Sequence, residues 1–184
     1  MTIRVLYLAR HGETDWNRER RWQGHADTEL NDVGRAQAEV LAKTIEGHGV
    51  ARIHTSDLRR ARETAEIVAR RLGIASVISD TDLRERNFGV FEGLTFAECE
   101  QKYPEMWARY LEHRTRPEGA EPDQALVERM RRGMRRALDG NGTVLVVTHG
   151  GAMRAYLHAT GAASAMDDGL ALPNGAVVRL EFRL

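Results

Sequence analysis

Cysteine is almost absent: Cys99 is the only one in 184 residues. No intramolecular disulfide can form, which fits a reducing compartment. Its position suggests a small residue packed inside a short helix, not a nucleophile. Lysine is nearly as scarce. Only Lys43 and Lys102 occur, so 25 of the 27 basic residues are arginine. Excess charge is missing too, with 27 basic against 27 acidic residues. Nucleic-acid-binding domains carry a clear basic surplus, so nucleic acid is not an expected partner. Only five apolar residues separate Arg4 from Arg10, too few for a signal-peptide core or a membrane span. The expectation is a cytoplasmic protein without a membrane partner. There is no internal repeat, no low-complexity stretch and no Walker loop. His25, His48, His54, His113 and His158 show no metal-ligand spacing.

What is present is ordinary for a globular chain: 42% hydrophobic and 29% charged residues. The length suits one domain over 1–184 with a proper core. Strand and helix patterns alternate. Ile3 to Ala9 reads as a buried strand, followed by a helix over 32–47 and a short strand from Arg52 to Thr55. A helix over 58–72 presents Ala61, Ala65, Val68, Ala69 and Leu72 on one face and stops at Gly73. Val77-Ile78 is another short strand. Residues 94–115 read as two short helices broken at Pro104, and 123–138 as a helix with Glu121 as its cap. Thr143 to Thr148 is the clearest strand. A helix from Ala152 to Thr160 and a closing strand from Gly175 to Leu184 complete the chain. Such alternation predicts an α/β fold with a mostly parallel sheet.

Two strands end on histidine. After the first comes Arg10-His11-Gly12, and after the strongest comes His149-Gly150-Gly151. In open α/β sheets, ligands bind in the crevice outside the carboxyl ends of the strands. An arginine there matches phosphate oxygens with its fork of donors. A histidine beside it can serve as base, acid or nucleophile. His149 opens a helix, so its imidazole and the free amides of Gly150 and Gly151 can face an anion.

The blocks that carry these residues extend further. Arg10-His11-Gly12-Glu13-Thr14-x-x-Asn17 is followed by Ser56-Asp57-Leu58-Arg59-Arg60-Ala61-Arg62-Glu63-Thr64-Ala65. Then come Leu83-Arg84-Glu85 through Gly89 to Glu92-Gly93, and Thr148-His149-Gly150-Gly151. In this order the four blocks resemble the histidine phosphatase superfamily, also called the phosphoglycerate mutase-like family. The resemblance spans residues 10 to 151. It implies a three-layer α/β/α sandwich, with residues about 86–122 forming a helical insert over the active site.

It also implies roles. His11 would be the phosphorylated nucleophile, Arg10 and Arg60 the phosphate clamp, and His149 a ligand of the transferring group. Glu85 would be the general acid, with Glu92 as rival and Asp82 a weaker one. A carboxyl that donates a proton near neutral pH must be held protonated, and an adjacent bound phosphate supplies that push. Thr14, Asn17, Gln23, Gly24, Arg86 and Gly150 would complete the phosphate and substrate contacts. Loop capping is the other reading of Thr14 and Gln23. No metal or other cofactor is implied, because cationic side chains replace it. A 2,3-bisphosphoglycerate primer would be needed only by a mutase.

Several departures from the mutase pattern favour a phosphatase acting on a small phosphorylated substrate. Phe88 stands where a phenol is expected, no lysine follows Gly93, and Gly151 replaces an asparagine. The mutase arginine pair is matched only loosely, by Arg114 and Arg116. The chain also ends directly after its last strand. Phosphoglycerate mutase is the alternative. A phosphohistidine or phosphotyrosine protein phosphatase, or a non-catalytic phosphate-binding module, comes after it. The family admits a monomer or a homodimer.

Overall fold

The computed structural model describes residues 3–113, 115–162 and 172–183. Arg114 and Leu184 lie outside the described residues. Among the described residues, five strands form one sheet: β1 (Ile3–Arg10), β2 (Val50–Thr55), β3 (Val77–Ser79), β4 (Thr143–Thr148) and β5 (Val177–Arg183). Their order is β3-β2-β4-β1-β5. The first four are parallel, and β5 closes one edge antiparallel to β1. The helices are α1 (Asp15–Arg18), α2 (Asp32–Ile45), α3 (Arg59–Leu72), α4 (Phe96–Lys102), α5 (Pro104–Leu111), α6 (Asp123–Leu138) and α7 (Gly150–Ala159). No described helix is long and apolar enough to cross a membrane.

The near-continuous apolar character of β1 and β4 follows from burial on both faces. Successive side chains point to opposite sides of the sheet. Leu6, Leu8, Val144 and Val146 therefore pack with Met130 and Met134 of α6 and Met153 and Leu157 of α7. Tyr7, Ala9, Leu145 and Val147 face the other way, onto Leu41 and Ile45 of α2 and Ala61, Ala65 and Val68 of α3. The result is the three-layer α/β/α sandwich.

Helix ends differ from expectation where local chemistry decides them. The helix expected over 32–47 stops at Ile45 because Glu46 leaves helical geometry at ψ 134°. Gly73 ends α3 in the left-handed conformation, φ 69°, as a glycine after a helix commonly does. Glu121 does not cap α6. Pro122 holds that position without a side-chain bond, and the Glu121 carboxylate pairs with Arg129 at 2.6 Å instead. The helix after β4 begins at Gly150, not Ala152. Glu85 supplies its missing cap from outside.

Residues 88–111 form a second apolar cluster beside the main sandwich. Phe88, Phe91, Cys99 and Trp107 pack together with Trp22. Cys99 is fully buried there. Tilted rings of Trp22 and Phe88, centroids 4.4 Å apart, tie this segment to the loop after α1.

Candidate active site

Parallel pairing of β1 with β4 builds the site. Arg10 and Thr148 are register partners, so His11 and His149, each the next residue, emerge side by side. His11 N–H donates to the Thr148 carbonyl at 2.9 Å. The two imidazoles meet edge to face, centroids 5.0 Å apart. His11 is 3% exposed and His149 is fully buried.

His11 Nδ1 lies 2.6 Å from the Gly12 carbonyl, which can only accept. Nδ1 therefore carries the proton and Nε2 keeps a lone pair. Burial, then the charges of Arg60 and Arg10, hold the His11 pKa well below its usual value. The ring is neutral at pH 7. His149 is held low in the same way, by burial first and Arg60 next.

The β1 exit requires close backbone approach. A side-chain carbon on Gly12 would sit 2.3 Å from the Gly34 carbonyl oxygen. The first turn of α2 thus packs directly on the loop that presents His11.

Arg60 enters from the first turn of α3 and is fully buried. It donates to the carbonyls of Ala26 at 2.7 Å and Gly24 at 2.8 Å. Burial lowers its pKa to about 10, so it remains cationic at pH 7. Arg10 donates to the Leu172 carbonyl at 2.6 Å, and burial lowers its pKa as well. Neither guanidinium meets a carboxylate within hydrogen-bonding distance among the described residues. Arg10 Nε, Arg60 Nε and both ring nitrogens of His149 are buried without a partner among the described residues. Buried polar atoms normally find partners, so this group of orphans marks a place for a ligand.

Glu85 is held by three backbone N–H groups. Oε1 accepts from Arg86 and Ala152, both at 2.8 Å, and Oε2 accepts from Gly151 at 2.9 Å. Oε1 has both lone pairs in use, and Oε2 keeps one. The Gly151 amide, expected to be free for an anion, is therefore occupied by this carboxylate. Gly151 also makes the approach possible, because a side-chain carbon there would lie 2.6 Å from Glu85 Oε1. Arg129 of α6 fixes the loop from behind, donating to the carbonyls of Asp82, Arg84 and Glu85 at 2.7–3.0 Å.

Glu92, the rival acid, accepts from the N–H groups of Phe88 at 2.9 Å and His25 at 3.1 Å and organises a turn. Asp82 is paired with Arg132 and Arg136.

The other expected contacts divide. Asn17, Gln23, Gly24 and Gly150 line the cleft with Arg10, His11, Arg60 and Glu85. Thr14 is fully buried and forms a reciprocal cap with Asn17 at the start of α1. Its hydroxyl also reaches Gln23 Oε1 at 3.0 Å. Arg86 does not reach the cleft. It is buried on the Glu121 carbonyl at 2.8 Å and the Asp123 carboxylate at 2.5 Å, because its side chain diverges from that of Glu85 towards α6.

The cleft rim also holds residues that the motifs did not single out: Trp16, Arg20, Arg21, Phe96 and Arg154. Arg20 adopts φ 54°, and Arg154 lies one turn into α7, four residues after Gly150. That spacing was the available signal for Arg154; Arg20 had none.

The family model for the histidine phosphatase superfamily (branch 1) matches residues 6–184. The chain belongs to that superfamily. It is 40% identical over 155 residues to phosphoglycerate mutase-like protein 4 of Arabidopsis thaliana, covering 81% of this chain and 67% of the relative. It is 38% identical over 171 residues to the metal-independent phosphoserine phosphatase of Arabidopsis thaliana, covering 89% and 71%. Against some mycobacterial relatives the chain spans 40% of their length. Among solved structures, a mycobacterial glucosyl-3-phosphoglycerate phosphatase complexed with VO3 superposes with a TM-score of 0.79 at 30% identity, covering 96% of this chain and 90% of that one.

Proposed function

We propose that this chain is a metal-independent phosphomonoesterase that works through a phosphohistidine on His11, with a small phosphorylated metabolite as substrate. One observation carries the reading. A neutral histidine with a free Nε2 lone pair stands among buried cationic and imidazole N–H groups that lack acceptors. Those donors fit the equatorial oxygens of a transferring phosphoryl group, whose charge must be stabilised in the transition state. They take the role a metal cation would otherwise fill, so the reading includes no cofactor.

His11 Nε2 forms a bond to phosphorus as the ester P–O bond breaks. The leaving oxygen takes a proton from Glu85, carried on Oε2. Water then attacks the phosphohistidine, Glu85 accepts its proton, the N–P bond breaks and inorganic phosphate leaves.

Two features favour hydrolysis over the mutase alternative. Phe88 puts an apolar ring on the cleft wall, and Gly151 cannot be an asparagine while Glu85 stays where it is. The phosphatase names of two relatives point the same way. The test is hydrolysis of p-nitrophenyl phosphate in EDTA by wild type and His11→Ala. Turnover in the wild type and none in the mutant is expected. An active His11→Ala enzyme overturns the mechanism. An inert wild type sends the assay to 2- and 3-phosphoglycerate with the bisphosphate primer.

A further inference from the structure

We propose that Asn174, on the segment leading into β5, is a positioning residue for the phosphoryl site. It helps present the Asn17 amide to phosphate and braces the carbonyl that sets the His11 tautomer. The inference rests on the reading of His11 and Asn17 given above.

The side-chain Nδ2 of Asn174 reaches three oxygens: the His11 carbonyl at 3.1 Å, the Gly12 carbonyl at 3.2 Å and Asn17 Oδ1 at 3.1 Å. Two of these are backbone carbonyls, which only accept, so the Asn174 amide has one possible orientation. Asn17 Oδ1 then accepts from Asn174 and from the Thr14 N–H at 3.1 Å, both obligate donors. The group Asn17 has left to offer the cleft is its NH2, a donor, which is what a phosphate oxygen needs.

The second consequence concerns His11. Its Nδ1 proton is given to the Gly12 carbonyl, and among the described residues the other donor to that oxygen is Asn174. Backbone bonds hold the segment in place, from Arg10 N–H to the Ala176 carbonyl at 2.9 Å and from Gly175 N–H to the His11 carbonyl at 3.2 Å. One side chain from the far end of the sequence thus braces both the nucleophile and a phosphate ligand. It lies outside all four motif blocks.

The experiment combines phosphate affinity, kinetics and a double-mutant cycle. Inorganic phosphate binding is read by calorimetry in wild type, Asn17→Ala, Asn174→Ala and the double mutant. Asn174→Ala should weaken phosphate and lower kcat/KM for p-nitrophenyl phosphate by about tenfold each, the scale of one hydrogen bond. The double mutant should bind phosphate little worse than Asn17→Ala alone, because the two act as a unit. Nitrogen-15 NMR of His11 should show a smaller Nδ1–H population in Asn174→Ala. Losses that simply multiply in the double mutant overturn the proposal, as does a lower melting temperature with unchanged phosphate affinity. Asn174→Ser keeps one donor and replaces the alanine variant if that does not fold. Phosphate binding is independent of turnover, so a His11→Ala enzyme that still hydrolyses p-nitrophenyl phosphate refutes the His11 chemistry, while the phosphate titrations still test Asn174.

Discussion

Gly151→Ala is a sharp test of how Glu85 is held. The added methyl would sit 2.6 Å from Glu85 Oε1 and 3.1 Å from its Cδ. Ordinary carbon contacts lie near 3.5 Å, so the carboxyl must retreat by roughly 0.5–1 Å. It cannot retreat without stretching the bonds it accepts from the Gly151 and Ala152 amides at 2.9 and 2.8 Å. A displacement of that size at a reacting group can cost about a hundredfold in rate. The loss should depend on the leaving group. An alkyl phosphate needs its leaving oxygen protonated, whereas p-nitrophenolate leaves unaided. The expected result is a kcat about a hundredfold lower for an alkyl phosphate and less than tenfold lower for p-nitrophenyl phosphate. Glu85→Gln should show the same pattern. Gly151 lies in the first turn of a helix, so alanine is locally tolerated and the fold should survive. Equal losses for both substrates, or none, would refute Glu85 as the proton donor and move that role to another group.

Other outcomes follow from the same geometry. Folded His11 and His149 resist protonation, with pKa values well below the usual 6.5. Below pH 6.5 the unfolded chain takes up protons that the folded chain does not. Stability should therefore fall as pH drops towards the folded values, by up to about 2.7 kcal/mol per pH unit for the two rings. Thermal melts between pH 7.5 and 5 measure this, and a double His→Asn variant should flatten the curve. Because His11 is already neutral, the acid limb of kcat/KM that it sets should lie below pH 6.5; a limb assigned to His11 above that value contradicts the buried neutral ring. Arg60→Lys loses the fork that bonds Gly24 and Ala26. Leaving a buried carbonyl without a donor should cost about 1–3 kcal/mol in denaturant unfolding and weaken inorganic phosphate in a competition assay.

Much of this was legible locally. The six-residue run Thr143–Thr148 and the alternation of helix with strand follow from side-chain periodicity and burial on two faces. Arg10, His11 and His149 could be singled out because a cation or imidazole at a strand end faces the crevice where ligands bind, and Arg60 by the resemblance of its block to the superfamily. Arg86 shows where such reasoning stops. The chain direction after Glu85 carries its guanidinium to Asp123, and no local pattern encodes that turn. Gly151 gives the same lesson. Its amide serves Glu85 because residues 66 positions apart meet there.

The sequence by itself determined the class of fold, the two strand-end histidines and the chemistry they can perform, because these depend on residue type and short-range spacing. Only the tertiary structure decided which nitrogen of His11 is free and which acid is pinned at α7. It alone brings Asn174 to Asn17 and turns Arg86 away. Each of these depends on parallel pairing and long-range packing that bring distant segments within hydrogen-bond distance, and burial then sets the charge each group carries.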